Sequence, residues 1–168
     1  MIKSNLSDLD KSKMIFNFLL REGVIEFLIG NMRPLDDLYT VGFDRHSLAK
    51  LVLKEAASFE TEVTTYRPFW RWSSAYATTY TGNFNLIKIN QYKISRAVAS
   101  LCGSIAHEWG HCLEYYFKSE NEFSACCFNH GDNDPIGKED TFQYQLGKAV
   151  KAYVGKYEEE ILRNIGIK

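Results

Sequence analysis

The spacing of apolar residues predicts a long amphipathic helix in the second half of the chain. Residues 96–118 contain no proline, and apolar residues recur there at intervals of three and four, the period of one helical face. This apolar stripe consists of Val98, Cys102, Ile105, Trp109, Cys112 and Tyr116. Ser95 is the predicted N-cap. We expect the helix to pack on the stripe and to present its opposite face to a cleft.

Four further helical segments are predicted from apolar spacing and capping residues. Three of them are residues 7–22, 46–58 and 141–164. Their predicted N-caps are Ser7 for the first, Asp44 or Ser47 for the second and Asp140 for the third. Residues 24–41 are predicted to form a short helix followed by a loop, because Pro34 breaks the pattern. Gly147 and Gly155 are expected to be weak points of the last helix, since glycine is a poor helix former.

A β-hairpin is predicted directly before the long helix. Residues 75–81 and 84–90 are rich in Thr, Tyr, Phe and Ile, and Gly82-Asn83 between them is a hairpin signal. In the second strand, Ile87 and Ile89 share one face. These patterns predict the α+β class, with a small sheet packed on the long helix and on flanking helices.

Composition favours one domain over residues 1–168, since 45% hydrophobic residues suffice for one core. Within it we expect a helical part at 1–60, a metal-site core at 75–147 and the C-terminal helix at 141–164. The net charge of −1 gives no support to nucleic acid or a membrane as a partner. No apolar run is long enough to span a bilayer, and the N-terminus lacks the pattern of a secretory signal, so we expect a cytoplasmic protein.

Aromatic side chains are concentrated in residues 66–76. They are Tyr66, Phe69, Trp70, Trp72 and Tyr76. Aromatics can line a substrate groove, but their large apolar surface favours a core cluster as the interpretation here.

Residues 107–111 read His-Glu-Trp-Gly-His, an HExxH sequence. At about 100° per residue, His107 and His111 differ by about 40° around a helix and lie one turn apart, so both imidazoles can reach one ion. Glu108 points about 60° further round from His111, beside such an ion but not in competition for it. This arrangement suits a zinc ion with a neighbouring general base.

The small residues Ser100, Gly103 and Ser104 lie on the histidine side and are expected to leave room above the metal. The alternative is a core helix with two hydrogen-bonded histidines.

A catalytic zinc ion needs a third protein ligand and an open fourth position. Glu114 lies in line with the two histidines on the same helix, so it cannot complete a tetrahedron with them. His130 is the leading third ligand, because it lies in a turn-rich loop that can fold back over the histidine face. The alternatives are Asp132, Asp134 and Glu122. His46 has no partner motif nearby and is predicted to be a surface residue.

The four cysteines do not form a disulfide scaffold in a chain of this length. Cys102 and Cys112 belong to the apolar stripe and are expected to act as small hydrophobic residues. A ligand from the adjacent Cys126 and Cys127 is a further alternative, although this pair lacks the CxxC spacing. The HxE and PCxxC signatures of zinc deaminases are missing, which disfavours that class.

The HEWGH motif, the His-Gly-Asp-Asn loop at residues 130–133 and a later segment with Tyr144 together resemble small zincin-like proteins of bacteria and phages. The resemblance covers about residues 76–147. It implies that His107 and His111 bind zinc and that Glu108 is the base. In zincins the strand just before the active-site helix has an edge that can pair with the substrate backbone, which the resemblance implies for the strand at 84–90. The alternative is a sheet that only packs on the helix.

The chain departs from two zincin subclasses. Metzincins have a third histidine six residues after the second, whereas this chain has Phe117 there. Metzincins also have a glycine before that third histidine, whereas this chain has Leu113-Glu114 there. Thermolysin-like enzymes supply a Glu about twenty residues after the motif, where this chain has His130-Gly131. The third ligand therefore stays open among the residues named above.

The sequence thus predicts a zincin-like domain that hydrolyses peptide bonds with zinc as its cofactor and a peptide or protein as its substrate. His107, His111 and His130 are the expected ligands, and Glu108 is the expected general base. Tyr144 is the expected second donor to a developing oxyanion, with an ordinary packing tyrosine as the alternative. Two other functions stay open: a non-catalytic interaction protein with the same fold, and a hydrolase of a non-protein amide such as a cell-wall crosslink.

Overall fold

The computed structural model describes residues 6–32, 45–70, 76–80, 83–119 and 141–167. Within these ranges the chain has mixed α+β architecture, with five helices and a small three-stranded sheet. The helices are α1 (Asp8–Arg21), α2 (Val24–Gly30), α3 (Arg45–Lys54), α4 (Val98–Ser119) and α5 (Phe142–Asn164). The strands are β1 (Glu62–Tyr66), β2 (Ala77–Tyr80) and β3 (Asn83–Asn90). The predicted α+β class is confirmed at this level.

The N-terminal helices follow the sequence prediction closely. Ser7 caps α1, because its hydroxyl accepts a hydrogen bond from the backbone N–H of Asp10 at 3.1 Å. The short helix predicted at residue 24 is α2, which ends at Gly30. The loop expected after it lies outside the described residues, as does Asp44.

Helix α3 is shorter than the predicted segment 46–58. It ends at Lys54, and a separate 3₁₀ turn follows at Ala56–Phe59. This turn brings the Phe59 ring into the core, where it is 3% exposed. Ser47 lies inside α3 and is therefore not its N-cap.

The long predicted helix is α4, but it begins two residues later than expected. The carbonyl oxygen of Ala97 accepts a hydrogen bond of the first helical turn, from the N–H of Leu101 at 3.1 Å. Ser95 thus lies outside the helix and is not its N-cap. The preceding residues form a tight connection instead, in which the Arg96 N–H donates to the carbonyl oxygen of Ile94 at 2.8 Å.

The last predicted helix is α5, and its N-cap position is Thr141 rather than Asp140. Thr141 has extended backbone angles, and its carbonyl oxygen accepts the first helical hydrogen bond, from Gln145, at 3.0 Å. Asp140 lies outside the described residues. The helix continues through both of the glycines that were predicted to weaken it, Gly147 and Gly155.

The sheet has the strand order β1-β3-β2. Strands β2 and β3 are antiparallel, as the hairpin prediction requires. Asn83 was predicted in the turn but belongs to β3, and residues 81–82 lie outside the described residues. Strand β1 was not predicted; it pairs parallel to β3, with Val63 opposite Ile87. Ile87 and Ile89 are buried on one face of β3, as expected from the pleat.

The core is organised around α4. The predicted stripe residues Val98, Cys102, Ile105, Trp109 and Cys112 are all buried, while the side chain of Tyr116 is not described. Trp109 is the largest of the fully buried side chains, and its ring meets Phe16 of α1 and Phe59 edge to face. Its indole N–H donates to the Phe59 carbonyl oxygen at 3.1 Å. These contacts fix the rotation of α4 and hence the direction of its opposite face.

No helix in the described part of the chain is long and apolar enough to cross a membrane. The longest helices are α4 and α5, and both carry polar residues on the side that faces the cleft described below.

Candidate functional site

A cleft of about 730 Å³ lies between α4 and α5, beside the start of β2. Its volume falls in the usual range for small-molecule sites. On α4 it is lined by Ser100, Gly103, Ser104, His107 and Glu108, which recur at intervals of three and four and so share one face. On α5 it is lined by Tyr144, Gly147, Lys148 and Lys151, which share a face in the same way. The motif face of α4 therefore opens onto a cleft, as predicted.

The two helices run antiparallel and touch at glycines. A Cβ on Gly103 would lie 2.9 Å from the carbonyl oxygen of Gly147, and one on Gly110 would lie 3.0 Å from Gln143 Cγ. Ser100, Gly103 and Ser104 were expected to leave room above a metal ion, and all three line the cleft. The small size of Gly103 also lets the helices approach closely and brings Tyr144 and Gly147 next to His107.

His107 and His111 are neighbours on α4, as the spacing predicts. Both are half-buried, and their ring centres lie 5.2 Å apart. In a tetrahedral zinc site, each imidazole binds the ion through a nitrogen about 2.0–2.1 Å away. The centres of two such rings then lie roughly 5 Å apart. The separation therefore fits a shared ion, and the donor set of two neutral imidazoles suits zinc.

Glu108 is buried, with 9% of its surface exposed, and it lines the cleft. Desolvation by burial raises the pKa of its carboxyl group to about 7, and the nearby His111 partly offsets this rise. A carboxyl group with a pKa near neutrality can both accept and return a proton under physiological conditions. This is the property required of a general base at this position.

Tyr144 lies against the first histidine of the motif. Its ring meets the His107 ring edge to face, with centres 4.6 Å apart. Both residues line the cleft. Sequence reasoning placed Tyr144 in the site, and the structure brings it into direct contact with a predicted ligand.

Gln143 is a site residue that sequence reasoning missed. It is fully buried, and its side-chain Nε2 lies 3.5 Å from Nδ1 of His111. A histidine that binds a metal through Nε2 carries a hydrogen on Nδ1, and it then prefers an acceptor such as an amide oxygen. The two ends of a glutamine amide exchange by a simple rotation, so Gln143 can serve as that acceptor. No motif in the sequence signals this contact, which joins the first turn of α5 to the motif.

The expected third ligand, His130, lies outside the described residues. So do its alternatives Asp132, Asp134 and Glu122, and the Cys126-Cys127 pair. Within the described ranges, no group of three or more His, Cys, Asp and Glu side chains is arranged to hold a metal ion. The described part of the site thus supplies two imidazoles, and the other candidate ligands lie in the undescribed residues 120–140.

Three other sequence expectations concern the surroundings of the cleft. His46 is exposed, as predicted. The described part of the aromatic segment does not form the expected core cluster, because Phe69 and Trp70 are 90% and 56% exposed, while Trp72 lies outside the described residues. Tyr76 is also half-exposed and lines the cleft, as a groove residue would.

The expectation that β3 offers its edge to a substrate is wrong. It is the central strand and is paired on both sides, by β1 along residues 86–90 and by β2 along residues 83–89. The strand beside the cleft is β2, whose first residue, Ala77, belongs to the cleft wall. A sheet edge next to the site can therefore come only from β2 among the described strands.

A second cavity, of about 410 Å³, lies between α1 and the end of α5. It is lined by Lys13, Met14, Asn17, Phe18, Arg21, Asn164 and Ile165. Among these described side chains there is no carboxylate, imidazole or thiol, in contrast to the cleft with His107 and Glu108.

No protein-family model, curated protein or solved structure matches this chain.

Proposed function

We propose that this chain is a zincin-like zinc metallopeptidase that hydrolyses peptide bonds in the cleft between α4 and α5. One observation carries the proposal: the HExxH motif presents a buried carboxyl group, Glu108, to the same cleft as His107, with His111 one turn further on. An HExxH sequence without function has no reason to combine these features, since core packing asks for no particular spacing of His and Glu.

His107, His111 and His130 would hold the ion. When bound, zinc supplies Lewis acidity, which lowers the pKa of a water molecule and polarises a substrate carbonyl group. The separation of 5.2 Å between the rings of His107 and His111 supports their role as a pair. Gln143 would keep the His111 ring in orientation through Nδ1.

Glu108 would accept a proton from the attacking water and deliver it to the leaving amine. Its burial supports this role, because desolvation raises the carboxyl pKa towards the pH at which the reaction runs. Trp109, the next residue, is locked in the core by its hydrogen bond to Phe59, so the backbone that carries Glu108 is held rigidly.

Tyr144 would contribute a hydroxyl donor to the developing oxyanion. Its ring contact with His107 holds it in the cleft, and its place in the first turn of α5 ties it to the helix crossing. An extended substrate would lie beside β2, whose outer side pairs with no other described strand. Main-chain hydrogen bonds to such an edge hold many peptide sequences alike.

The decisive experiment is the substitution Glu108→Gln, which keeps the size of the side chain but removes the base. We expect hydrolysis to fall by at least about 10²- to 10⁴-fold, while zinc content stays near one ion per chain. Glu159→Gln is the matched control, because Glu159 is exposed on α5 and is not among the residues that line the cleft. The assay compares the three proteins on a peptide library, on their own chain and on cell-wall fragments that contain amide crosslinks.

Equal rates for the wild type and Glu108→Gln would contradict the catalytic proposal. If the wild type cleaves none of these substrates, and cells with Glu108→Gln keep the phenotype of the wild type, the non-catalytic interaction protein replaces it. If only the cell-wall fragments are cleaved, the hydrolytic chemistry stands and the peptide substrate is wrong.

A further inference from the structure

Three cationic side chains belong to the described wall of the cleft that contains the motif. Arg96, Lys148 and Lys151 line it together with His107 and Glu108. Among the described residues in the cleft wall, Glu108 is the only carboxylate.

Arg96 is held in a fixed position at one side of this cleft. Its Nη1 donates to the hydroxyl oxygen of Ser104 at 2.9 Å, and its Nε donates to the carbonyl oxygen of Lys93. The guanidinium group also lies over the Tyr76 ring, 4.8 Å from the ring centre. Its Nη2 is buried and has no hydrogen-bond acceptor in the part of the chain that the structure describes. A guanidinium group held in this way keeps a fixed positive charge at the cleft, which favours a carboxylate nearby.

Lys148 and Lys151 reach the same cleft from α5. They follow Tyr144 and Gly147 at intervals of four, so they continue the face that contacts His107. Lys151 lies beside Gly103, where an added Cβ would be 2.9 Å from the Cβ of Lys151. The cations thus stand on both sides of the groove, towards the N-terminal end of α4.

The distance from these cations to the motif fits a short stretch of peptide. Ser104 and Gly103 precede His107 by three and four residues, which corresponds to about 4.5–6 Å along the helix axis. An extended peptide advances at most about 3.3–3.6 Å per residue. A substrate group bound at Arg96 and Lys151 would therefore lie one or two residues from the bond beside His107.

We propose that Arg96, Lys148 and Lys151 form a specificity subsite for a carboxylate of the peptide substrate, within two residues of the bond that is cleaved. This proposal rests on the proposed function, because it names the substrate class of the same cleft. The carboxylate is either the C-terminal carboxylate of a short peptide or the side chain of an acidic residue. The first source makes the protein a carboxypeptidase-like enzyme, and the second makes it an endopeptidase selective for acidic sites.

The test measures binding separately from hydrolysis, in zinc-loaded Glu108→Gln protein. The probes are three N-acetylated pentapeptides of matched sequence: one with a free C-terminal carboxylate, one with a C-terminal amide, and one with a C-terminal amide and Asp at its fourth position. We expect at least one carboxylate probe to bind about 10- to 100-fold more tightly than the uncharged probe, as charge-assisted hydrogen bonds allow. The probe that gains affinity identifies the source of the carboxylate.

The same titrations are repeated with Arg96→Met and with Lys151→Gln, each added to Glu108→Gln. The preference should fall to within about threefold in each variant. Lys151 is exposed, so its substitution leaves folding intact even if Arg96→Met does not. Lys156→Gln is the matched control; Lys156 is exposed on α5 and lies over the Tyr157 ring instead of in the cleft, so the preference should persist there.

Equal binding of the three probes, or no binding of any of them, would overturn the carboxylate subsite. Hydrolysis of all three probes by the wild type at similar rates would overturn it too and would leave the peptidase proposal intact. A carboxylate preference that the two cation substitutions abolish, combined with no hydrolysis by the wild type, supports the subsite and contradicts the peptidase proposal.

Discussion

Gly147 lies directly against Gly103, at the point where the two longest helices cross. A Cβ at Gly147 would stand 2.8 Å from the Gly103 carbonyl oxygen and 3.3 Å from His107 Cβ. Real Cβ atoms do not approach backbone oxygens so closely, so only glycine permits this contact. The crossing sets the position of α5, and with it the positions of Gln143 and Tyr144 at the motif.

Gly147→Ala should therefore destabilise the protein, although alanine is the better helix former. We expect the free energy of unfolding to fall by up to about 2 kcal/mol, because overpacking costs about 1–3 kcal/mol and helix propensity returns about 1 kcal/mol. Chemical denaturation at fixed metal content measures the change. Gly155→Ala is the matched control: a Cβ there meets only Ala99 Cβ, at 3.8 Å, so stability should rise by about 0.5–1 kcal/mol. A gain in stability at both positions would show that the helices do not touch at Gly147.

This crossing marks the limit of what the sequence predicted. The spacing of the apolar stripe correctly predicted α4 and the burial of Cys102 and Trp109. It could do so because amphipathic spacing is a local property of one helix. Ser7 was recognised as a cap for the same reason. The contact of Gly103 with Gly147 joins residues 44 positions apart, and no local pattern contains it.

The strands show the same division. The hairpin of β2 and β3 was predicted because a short connection joins neighbouring segments. Strand β1 was missed, although Val63-Thr64-Thr65 is rich in β-branched residues, because its partner β3 is distant in sequence and runs parallel to it. This missed strand is what makes β3 central and moves the edge beside the cleft to β2.

At the candidate site, the placement of the motif residues on one helix was predictable, and the contact of Gln143 with His111 was not. His107, Glu108 and His111 follow from helical spacing alone, whereas Gln143 reaches His111 through a tertiary contact. The aromatic segment was misjudged because the large apolar surface of Phe69 and Trp70 suggested burial, but both side chains are exposed. Composition does not reveal whether an aromatic residue faces the core or a groove.

Zinc content gives the most direct test of the motif. We expect about one zinc ion per chain after purification without chelators, because two imidazoles are already arranged to share an ion. His107→Ala and His111→Ala should each lose the ion, and His130→Ala should weaken its binding strongly. Elemental analysis of each purified variant provides the measurement.

His46→Ala is the control for that series, since His46 is exposed and is not among the residues that line the cleft. It should retain the zinc content of the wild type. Wild-type affinity in His130→Ala would move the third ligand to Asp132, Asp134 or Glu122. A wild-type protein that contains no transition metal and takes up no added zinc would contradict the metal site itself.

Gln143→Leu should weaken zinc binding by about 10- to 100-fold without abolishing it, because residues that orient a ligating histidine typically contribute that much. Leucine fills a similar volume, so the contact of Gln143 with Gly110 is largely preserved. Competition with a chromophoric chelator measures the dissociation constant. The control is Gln145→Leu, two residues further along α5, which should bind zinc as the wild type does. Equal affinities for all three proteins would remove Gln143 from the site.

Cys102 makes stability depend on pH at the alkaline side. Its thiol is fully buried and donates a hydrogen bond to the carbonyl oxygen of Ser12, with 3.6 Å between Sγ and the oxygen. Desolvation by burial raises the pKa of this thiol from 9.0 to about 12. In the unfolded chain the thiol ionises near pH 9, whereas in the folded protein it stays neutral until about pH 12. Its contribution to stability is therefore fully present below pH 9 and is lost as the pH rises from there.

The wild type should accordingly lose about 2 kcal/mol relative to Cys102→Val between pH 8 and roughly pH 10.5, since the variant has no thiol to ionise. Any packing change caused by valine is the same at both pH values and cancels in the comparison. Urea denaturation at a series of pH values gives the free energies. Ile105→Val, on the same buried stripe, is the matched control and should follow the pH slope of the wild type, because it removes a methylene and leaves the thiol in place. Parallel slopes for the wild type and Cys102→Val would mean that the thiol ionises equally in both states, and the burial of Cys102 against Ser12 would then be wrong.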